Sequence, residues 1–74
     1  MRTTHARPSL RALQVFEAAA RWGSFTRAAE ELGITQSGVS RQVSDLEAML
    51  GIALFVRNVA GLRVTPEGEL LAGQ

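Results

Sequence analysis

The chain has 74 residues, of which 46% are hydrophobic, and its formal net charge is +1. This length allows one small domain with a thin core, and the apolar fraction favours a globular fold over a disordered one. The absence of cysteine excludes disulfide bridges and a zinc-finger core. The one histidine, His5, lies in a polar N-terminal segment without a second candidate ligand, so no metal site is predicted.

The basic residues are all arginines and are unevenly distributed along the chain. Residues 1–29 contain five arginines and one acid, whereas residues 30–74 contain three arginines and six acids. The N-terminal part is therefore the part that could face phosphate groups. No apolar run reaches the roughly 18–20 residues of a membrane span, and no apolar segment of a secretion signal follows the basic N-terminus. We therefore expect a cytoplasmic protein with no membrane partner.

The first predicted helix follows a flexible arm of residues 1–8. Ser9 is a suitable N-cap, and the helix ends near Trp22 and Gly23. Its predicted apolar stripe consists of Leu10, Leu13, Val15, Phe16, Ala19 and Ala20. Trp22 either stacks on another group or packs over the small core at the end of the helix, and packing over the core is the expected arrangement.

A second, shorter helix is predicted for residues 25–32, with Ser24 as its N-cap and Phe25 as an apolar anchor at its start. Its remaining apolar contacts are Ala28, Ala29 and Leu32. The small alanines allow a neighbouring helix to approach closely. Residues 33–35, Gly-Ile-Thr, form a tight turn into a third helix. Two helices joined by a three-residue turn that begins with glycine are typical of the helix-turn-helix motif.

The third predicted helix covers about residues 36–50, between a Thr35 N-cap and a terminal Gly51. Its apolar residues, which share one stripe, are Val39, Val43, Leu46 and Leu50. The opposite face carries Ser37, Ser40, Arg41 and Ser44. Short hydroxyl groups with one guanidinium group suit the major groove of DNA. Without further evidence, an ordinary solvated helix face is an equally good interpretation.

Two short β-prone runs, residues 54–56 and 62–64, predict a small hairpin, because residues 57–61 between them include Asn58 and Gly61. A hairpin after a helix-turn-helix is a wing. Thr65, Pro66 and Glu67 then predict another helix start. Its ten residues are too few to be stable alone, so we expect either a fragment of a longer protein or support from outside these residues.

The sequence closely resembles the N-terminal domain of LysR-type bacterial transcriptional regulators. The stretches that carry the resemblance are ALQVFEAAA (12–20), GSFTRAAEEL (23–32), TQSGVSRQ (35–42), DLE (45–47), LG (50–51), LF (54–55), Arg57 and TPEG (65–68). They extend over about residues 9–74. The opening residues 8–13 and 16–21 look most like the branch that contains glycine-cleavage and β-lactamase regulators.

The resemblance implies a mainly α winged helix-turn-helix over residues 9–64, with three helices and a two-stranded wing over residues 54–64. Residues 65–74 would begin a linker helix that pairs with its twin in a homodimer, with Leu70 and Leu71 as its apolar contacts. The implied function is sequence-specific binding of a double-stranded DNA operator. No cofactor is expected in these residues, since the family's small-molecule co-inducer binds a later domain that they do not include.

The resemblance also places the DNA-binding residues. Gln36, Ser37, Ser40 and Arg41 match the family's base- and phosphate-contacting face, and Thr26 and Arg27 match its backbone contacts. Ser24 and Thr35 at the helix N-termini, Gly38 and Arg57 complete the expected set, because a helix N-terminus offers N–H groups to phosphate.

Three positions depart from the family pattern. Ser37 stands where proline is common, and Gly38 costs the helix up to about 1 kcal/mol relative to alanine but lets backbone approach backbone. Ala60 stands at the wing tip where an arginine is frequent, which removes support for minor-groove insertion and leaves Arg57, and also Asn58 or Arg63, to touch phosphate.

The alternative function is a winged helix that binds another protein, and the small net charge is its best support. An enzyme is not expected. The sequence has no cysteine, no Ser-x-x-Lys, no Gly-x-Ser-x-Gly, no phosphate-binding glycine loop and no pair of carboxylates with a histidine.

Overall fold

The computed structural model describes residues 8–58 and 61–73. The rest of the predicted arm (residues 1–7) and the wing-tip residue Ala60 lie outside these ranges. The elements, in chain order, are α1 (Leu10–Trp22), α2 (Phe25–Leu32), α3 (Gln36–Leu50), β1 (Phe55–Asn58), β2 (Gly61–Val64) and α4 (Pro66–Ala72). This order confirms the predicted winged helix-turn-helix. None of the helices in the described ranges is long and apolar enough to cross a membrane.

Each helix begins after a hydroxyl residue that caps it. The side-chain oxygens of Ser9, Ser24, Thr35 and Thr65 accept hydrogen bonds of 2.9–3.1 Å from the backbone N–H three residues later. The turn between α2 and α3 needs a left-handed residue, which Gly33 supplies with a φ of 70°. The predicted helix boundaries are therefore confirmed, because local capping chemistry sets them.

The helices α1, α2 and α3 pack around one core, in which the largest fully buried side chains are Phe16, Leu46, Leu54, Val15 and Val39. Val43 is buried beside them, so α3 turns its predicted apolar stripe inward. Phe55, the first residue of β1, contacts Phe16 and Phe25 edge to face, with both ring centroids 5.5 Å from its own. These ring contacts join the wing to the helical core.

The predicted stripe of α1 is wrong at its first residue. The side chain of Leu10 is 72% exposed, whereas Ala12 and Ala18 are buried. The buried face of α1 is centred on Ala12, Val15, Phe16 and Ala19. At about 100° per residue, Leu10 lies on the opposite side of the helix.

The wing strands pair antiparallel, with Phe55 opposite Val64 and Asn58 opposite Gly61. The strands thus include the ends of the predicted turn and leave residues 59–60 between them. Leu54, predicted as a strand residue, lies just before β1 and is fully buried. Its N–H and that of Phe55 donate to Oε2 of Glu47, at 2.8 and 3.2 Å. One carboxylate on α3 therefore fixes the start of the wing.

The helix α4 is held by its own domain. The hydroxyl group of Thr65 donates to the carbonyl oxygen of Ala53 at 2.6 Å. The backbone N–H of Thr65 donates to the carbonyl oxygen of Leu54 at 3.0 Å. Leu71 packs against the core, while Leu70 is 72% exposed. The inner side of α4 thus packs on its own domain, and its outer side carries the exposed Leu70. Of the two predicted dimerisation residues, Leu71 is used within the domain.

Gly68 marks the closest approach between α4 and the wing. A Cβ added at this buried glycine would lie 2.5 Å from the carbonyl oxygen of Leu54 and 2.7 Å from Cγ1 of Val64. Alanine normally stabilises a helix relative to glycine by about 1 kcal/mol. Here the backbone oxygen cannot move away as a flexible side chain would, so only glycine fits without displacing α4.

We expect Gly68→Ala to destabilise the chain by about 1–3 kcal/mol, since overpacking outweighs the gain in helix propensity. Urea unfolding at constant m-value measures this. Glu69→Ala, at the exposed neighbouring position of α4, is the control and should change stability by no more than about 0.5 kcal/mol. A Gly68→Ala variant as stable as the original chain would contradict the close packing of α4 on the wing.

Candidate nucleic-acid interface

The outward face of α3 carries the polar residues that the sequence analysis assigned to it. Ser37, Arg41 and Ser44 are exposed, and Ser40 is half-buried. Val39, Val43 and Leu46 point into the core on the other side of the same helix. The predicted orientation of α3 is therefore confirmed. Residues 36–44 include no acid, so the outward face over these residues is free of negative charge.

An open groove runs along this face, and it combines three elements. Its lining residues are Phe25 from α2, Gln36, Ser37, Ser40 and Arg41 from α3, and Arg57 from β1. Five of these six residues belong to the predicted DNA-binding set. Positive and hydrogen-bonding groups from the helix-turn-helix and from the wing thus face one surface.

Arg57 is directed toward α3 from the wing. Its Nη2 donates to Oγ of Ser40 at 3.2 Å, and its guanidinium carbon lies 4.6 Å from the centroid of the Phe25 ring. This arrangement joins β1 to both helices of the motif. The sequence indicated a phosphate contact for Arg57 but could not show this pairing, because the two partners are 17 and 32 residues away in the chain.

The first turns of α2 and α3 lie side by side. The hydroxyl of Thr26 donates to Oε1 of Gln36 at 3.1 Å and so connects the two turns. The hydroxyl oxygens of Ser24 and Thr35 accept from backbone N–H groups of these turns, and Oγ of Ser37 lies 3.2 Å from Oγ1 of Thr35. Ser24 and Thr35 therefore act as caps that set the direction of the two helix N-termini.

Gly38 lies in the first turn of α3, next to the groove residue Ser37. A Cβ at this position would lie 3.1 Å from Oγ1 of the capping Thr35. A side chain at this position would therefore press on the cap of α3.

Trp22 and Arg27 form a second cluster next to the start of α2. The guanidinium carbon of Arg27 lies 5.3 Å from the centroid of the Trp22 ring, a cation–π arrangement. Trp22 as a whole residue is 43% exposed and is not among the core residues, so its expected packing over the core is wrong and stacking is the observed alternative.

Glu31 binds the N–H edge of the Trp22 ring. It accepts a hydrogen bond of 2.8 Å from Nε1 of Trp22 and two from Arg21, at 2.7 and 2.9 Å. Arg21 also binds Glu17, its neighbour one helical turn earlier, at 2.9 and 3.1 Å. Hydrogen bonds from Arg21, and then from Trp22, lower the pKa of Glu31 from 4.5 to about 2. The hydrogen bond from Arg21 also lowers the pKa of Glu17.

The arginines thus fall into two groups. Across residues 8–58 and 61–73, both ion pairs are made by Arg21. In that part of the chain, the other arginines have no carboxylate partner: Arg11, Arg27, Arg41, Arg57 and Arg63. Of these, Arg41 and Arg57 line the same groove. No cluster of three or more potential metal ligands occurs among the described residues.

Comparisons with known proteins agree with this geometry. Residues 10–69 match the family described as "Bacterial regulatory helix-turn-helix protein, lysR family". The chain is 60% identical over 62 residues to the HTH-type transcriptional activator AmpR of Rhodobacter capsulatus, which covers 84% of this chain and 22% of that protein. It is 56% identical over 62 residues to the glycine cleavage system transcriptional activator of Escherichia coli K12, covering 84% and 20%.

The chain therefore spans about a fifth of the length of these curated relatives, which are transcriptional activators rather than enzymes. Among solved structures, it is similar to the BenM DNA-binding domain in complex with catB site 1 DNA. The TM-score is 0.84 and the identity 42%, over 88% of this chain and 73% of the other. The fold and the resemblance predicted from sequence are both confirmed.

The ion pairs around Glu31 predict a pH-dependent stability. A carboxylate whose pKa is lowered on folding stabilises the protein above its unfolded pKa of about 4.5, and this contribution is lost as the pH falls toward 2. We therefore expect Glu31→Gln to lower the melting temperature at pH 7, and the difference from the original chain to vanish between about pH 4.5 and pH 2.

The matched control is Glu30→Gln, which removes the adjacent exposed carboxylate on α2. Glu30 has no arginine partner in the described ranges, so its replacement should shift the melting temperature little at any pH. A Glu31→Gln difference that is the same at pH 7 and pH 2.5 would show that its ion pair does not contribute to folding.

Proposed function

Because the chain belongs to the lysR family of bacterial regulatory helix-turn-helix proteins, we propose that it is the DNA-reading domain of a transcriptional regulator, with α3 in the major groove. One observation carries this proposal. The outer face of α3 over residues 36–44, which contain no acid, and Arg57 of the wing border the same open groove, while the valines of α3 are buried. A rigid helix with exposed donors on one side has the shape and chemistry that the major groove accepts.

Base recognition is assigned to the polar side chains of α3. Arg41 is exposed and has no carboxylate partner among the described residues, so its guanidinium group is available to pair with O6 and N7 of guanine. Gln36 can pair with adenine through its side-chain amide, which Thr26 orients. Ser37 and Ser40 supply short hydroxyl groups between them, and Ser40 also holds Arg57.

Contacts to the DNA backbone are assigned to the helix N-termini and to the remaining arginines. Ser24 and Thr35 cap the adjacent N-terminal turns of α2 and α3, whose N–H groups and positive dipole ends attract phosphate. Gly38 permits a close approach of the start of α3. Arg27 beside the first turn of α2 and Arg57 on β1 add positive charge on either side. These contacts position the domain without reading sequence.

Dimerisation is proposed through the linker helix that α4 begins, with Leu70 on its outer side as one apolar contact. Leu71 supports α4 from the inside and is not assigned to the dimer interface. A two-fold dimer would read two half-sites related by inverted symmetry. A small-molecule co-inducer is proposed only for a part of the regulator beyond these residues.

Selection of bound oligonucleotides from a random duplex pool tests the function directly. We expect a defined sequence, present as an inverted repeat if the chain dimerises on DNA. Its affinity should fall with salt, with a log–log slope of about −0.9 for each phosphate neutralised. Recovery of no preferred sequence together with a flat salt dependence would instead favour a protein-binding winged helix.

Arg41→Ala should weaken binding to the selected site by about 1–3 kcal/mol and relax the preference at one base pair, if the guanidinium group is bidentate to guanine. The measurement is fluorescence-anisotropy titration against the selected site and against each single-base variant of it. Discrimination among these duplexes that equals that of the original chain would remove Arg41 from base recognition.

Arg27→Ala is the matched control, because it removes the same charge from α2 instead of α3. It should weaken binding to all duplexes alike and make the salt slope shallower by about one. A loss confined to particular base pairs would contradict the assignment of Arg27 to the DNA backbone.

A further inference from the structure

We infer that Trp22 and Arg21 are positioning residues that keep the Arg27 guanidinium group available for a DNA phosphate. Trp22 attracts it by a cation–π contact, and Arg21 binds Glu31, the carboxylate four residues after Arg27 on the same helix, which would otherwise pair with it. This inference rests on the proposed DNA binding and deepens it, since it names what sets one phosphate contact. It depends on three observed contacts: Arg21 with Glu31, Trp22 with Glu31, and Arg27 with Trp22.

The first step is the competition for Glu31. Arg27 and Glu31 are four residues apart on α2, and oppositely charged residues at this spacing lie on one helix face and attract each other. An ion pair between them would bend the guanidinium group along the helix and neutralise it. In the structure, Glu31 instead binds Arg21 through both of its oxygens, at 2.7 and 2.9 Å.

The second step is the role of the indole. Nε1–H of Trp22 donates to Oε1 of Glu31 at 2.8 Å, which adds a third donor to the same carboxylate and fixes the ring. The ring then attracts Arg27, whose guanidinium carbon lies 5.3 Å from its centroid. Tryptophan is the one side chain that combines a strongly attractive π face with an N–H donor on its edge.

The third step concerns the donors that remain. An attraction to an aromatic ring occupies none of the five N–H donors of a guanidinium group, whereas a carboxylate partner engages two of them. Among the described residues, the side chain of Arg27 has no hydrogen-bond acceptor. Its donors therefore stay directed to solvent beside the first turn of α2, where phosphate is proposed to lie.

The experiment measures affinity for the selected duplex and for an unrelated duplex across a salt series. Trp22→Leu should weaken binding about two- to fivefold, equally for both duplexes, which is the range of an exposed cation–π contact. Arg21→Met should weaken binding similarly and make the salt slope shallower by about one, because Glu31 then captures Arg27. Thermal melting shows that each variant remains folded.

Rescue separates positioning from a simple loss of charge. Adding Glu31→Gln to Arg21→Met should restore the affinity and the salt slope, since residue 31 then has no carboxylate to capture Arg27. Adding Glu69→Gln to Arg21→Met restores the same net charge at a distant position on α4 and should not restore binding. In an Arg27→Ala background, the changes at Trp22 and Arg21 should have no further effect.

Three results would overturn the inference. Failure of Glu31→Gln to rescue Arg21→Met would mean that Arg21 itself contacts DNA. Weaker binding by Trp22→Leu in the Arg27→Ala background would mean that the indole contacts DNA directly. Full binding by both single variants, when Arg27→Ala alone weakens it, would refute the positioning role and leave the proposed function intact. If Arg27→Ala itself binds normally, the proposed phosphate contact fails first.

Discussion

The position of Phe55 between two other aromatic rings is the constraint on which the interface depends. Its edge-to-face contacts with Phe16 and Phe25 join the wing to α1 and α2. Side chains alternate along a strand, so residues 55 and 57 leave β1 on the same face. The docking of Phe55 beside Phe25 therefore brings Arg57 over the Phe25 ring and within reach of Ser40. A hydrophobic contact in the core thus places a charged group in the groove.

The helices and their limits could be predicted from sequence, because each depends on residues close together in the chain. The four hydroxyl caps and the burial of Val39, Val43 and Leu46 follow from local spacing and from the period of an α-helix. The groove itself was only partly predictable. Its polar residues could be identified from α3 and the family resemblance, but the approach of Arg57 to Ser40 depends on tertiary packing.

The errors have a common physical origin. Local pattern predicts an inward Leu10 from helical spacing, a strand at Leu54 from β propensity and a core contact for Trp22 from its place at a helix end. In each case the neighbours in space decide otherwise. Leu54 lies one residue before β1, where its N–H donates to the Glu47 carboxylate. Trp22 stays half-exposed because its indole is shared between Glu31 and Arg27. The small net charge is a poor guide to DNA binding, because it does not show which arginines are paired. Arg21 is neutralised by two carboxylates, whereas Arg27, Arg41 and Arg57 have no carboxylate partner in the described ranges.

The joint between α4 and the wing has a mechanical consequence. Thr65 binds the backbone at Ala53 and Leu54, and Gly68 lies directly on the Leu54 carbonyl group. The contact between α4 and the wing is therefore closely packed. Leu54 is in turn hydrogen-bonded to Glu47 on α3. We therefore expect a rotation of α4 to displace β1 and the C-terminal half of α3 with it. The helix α4, the wing and α3 would then move as one rigid unit.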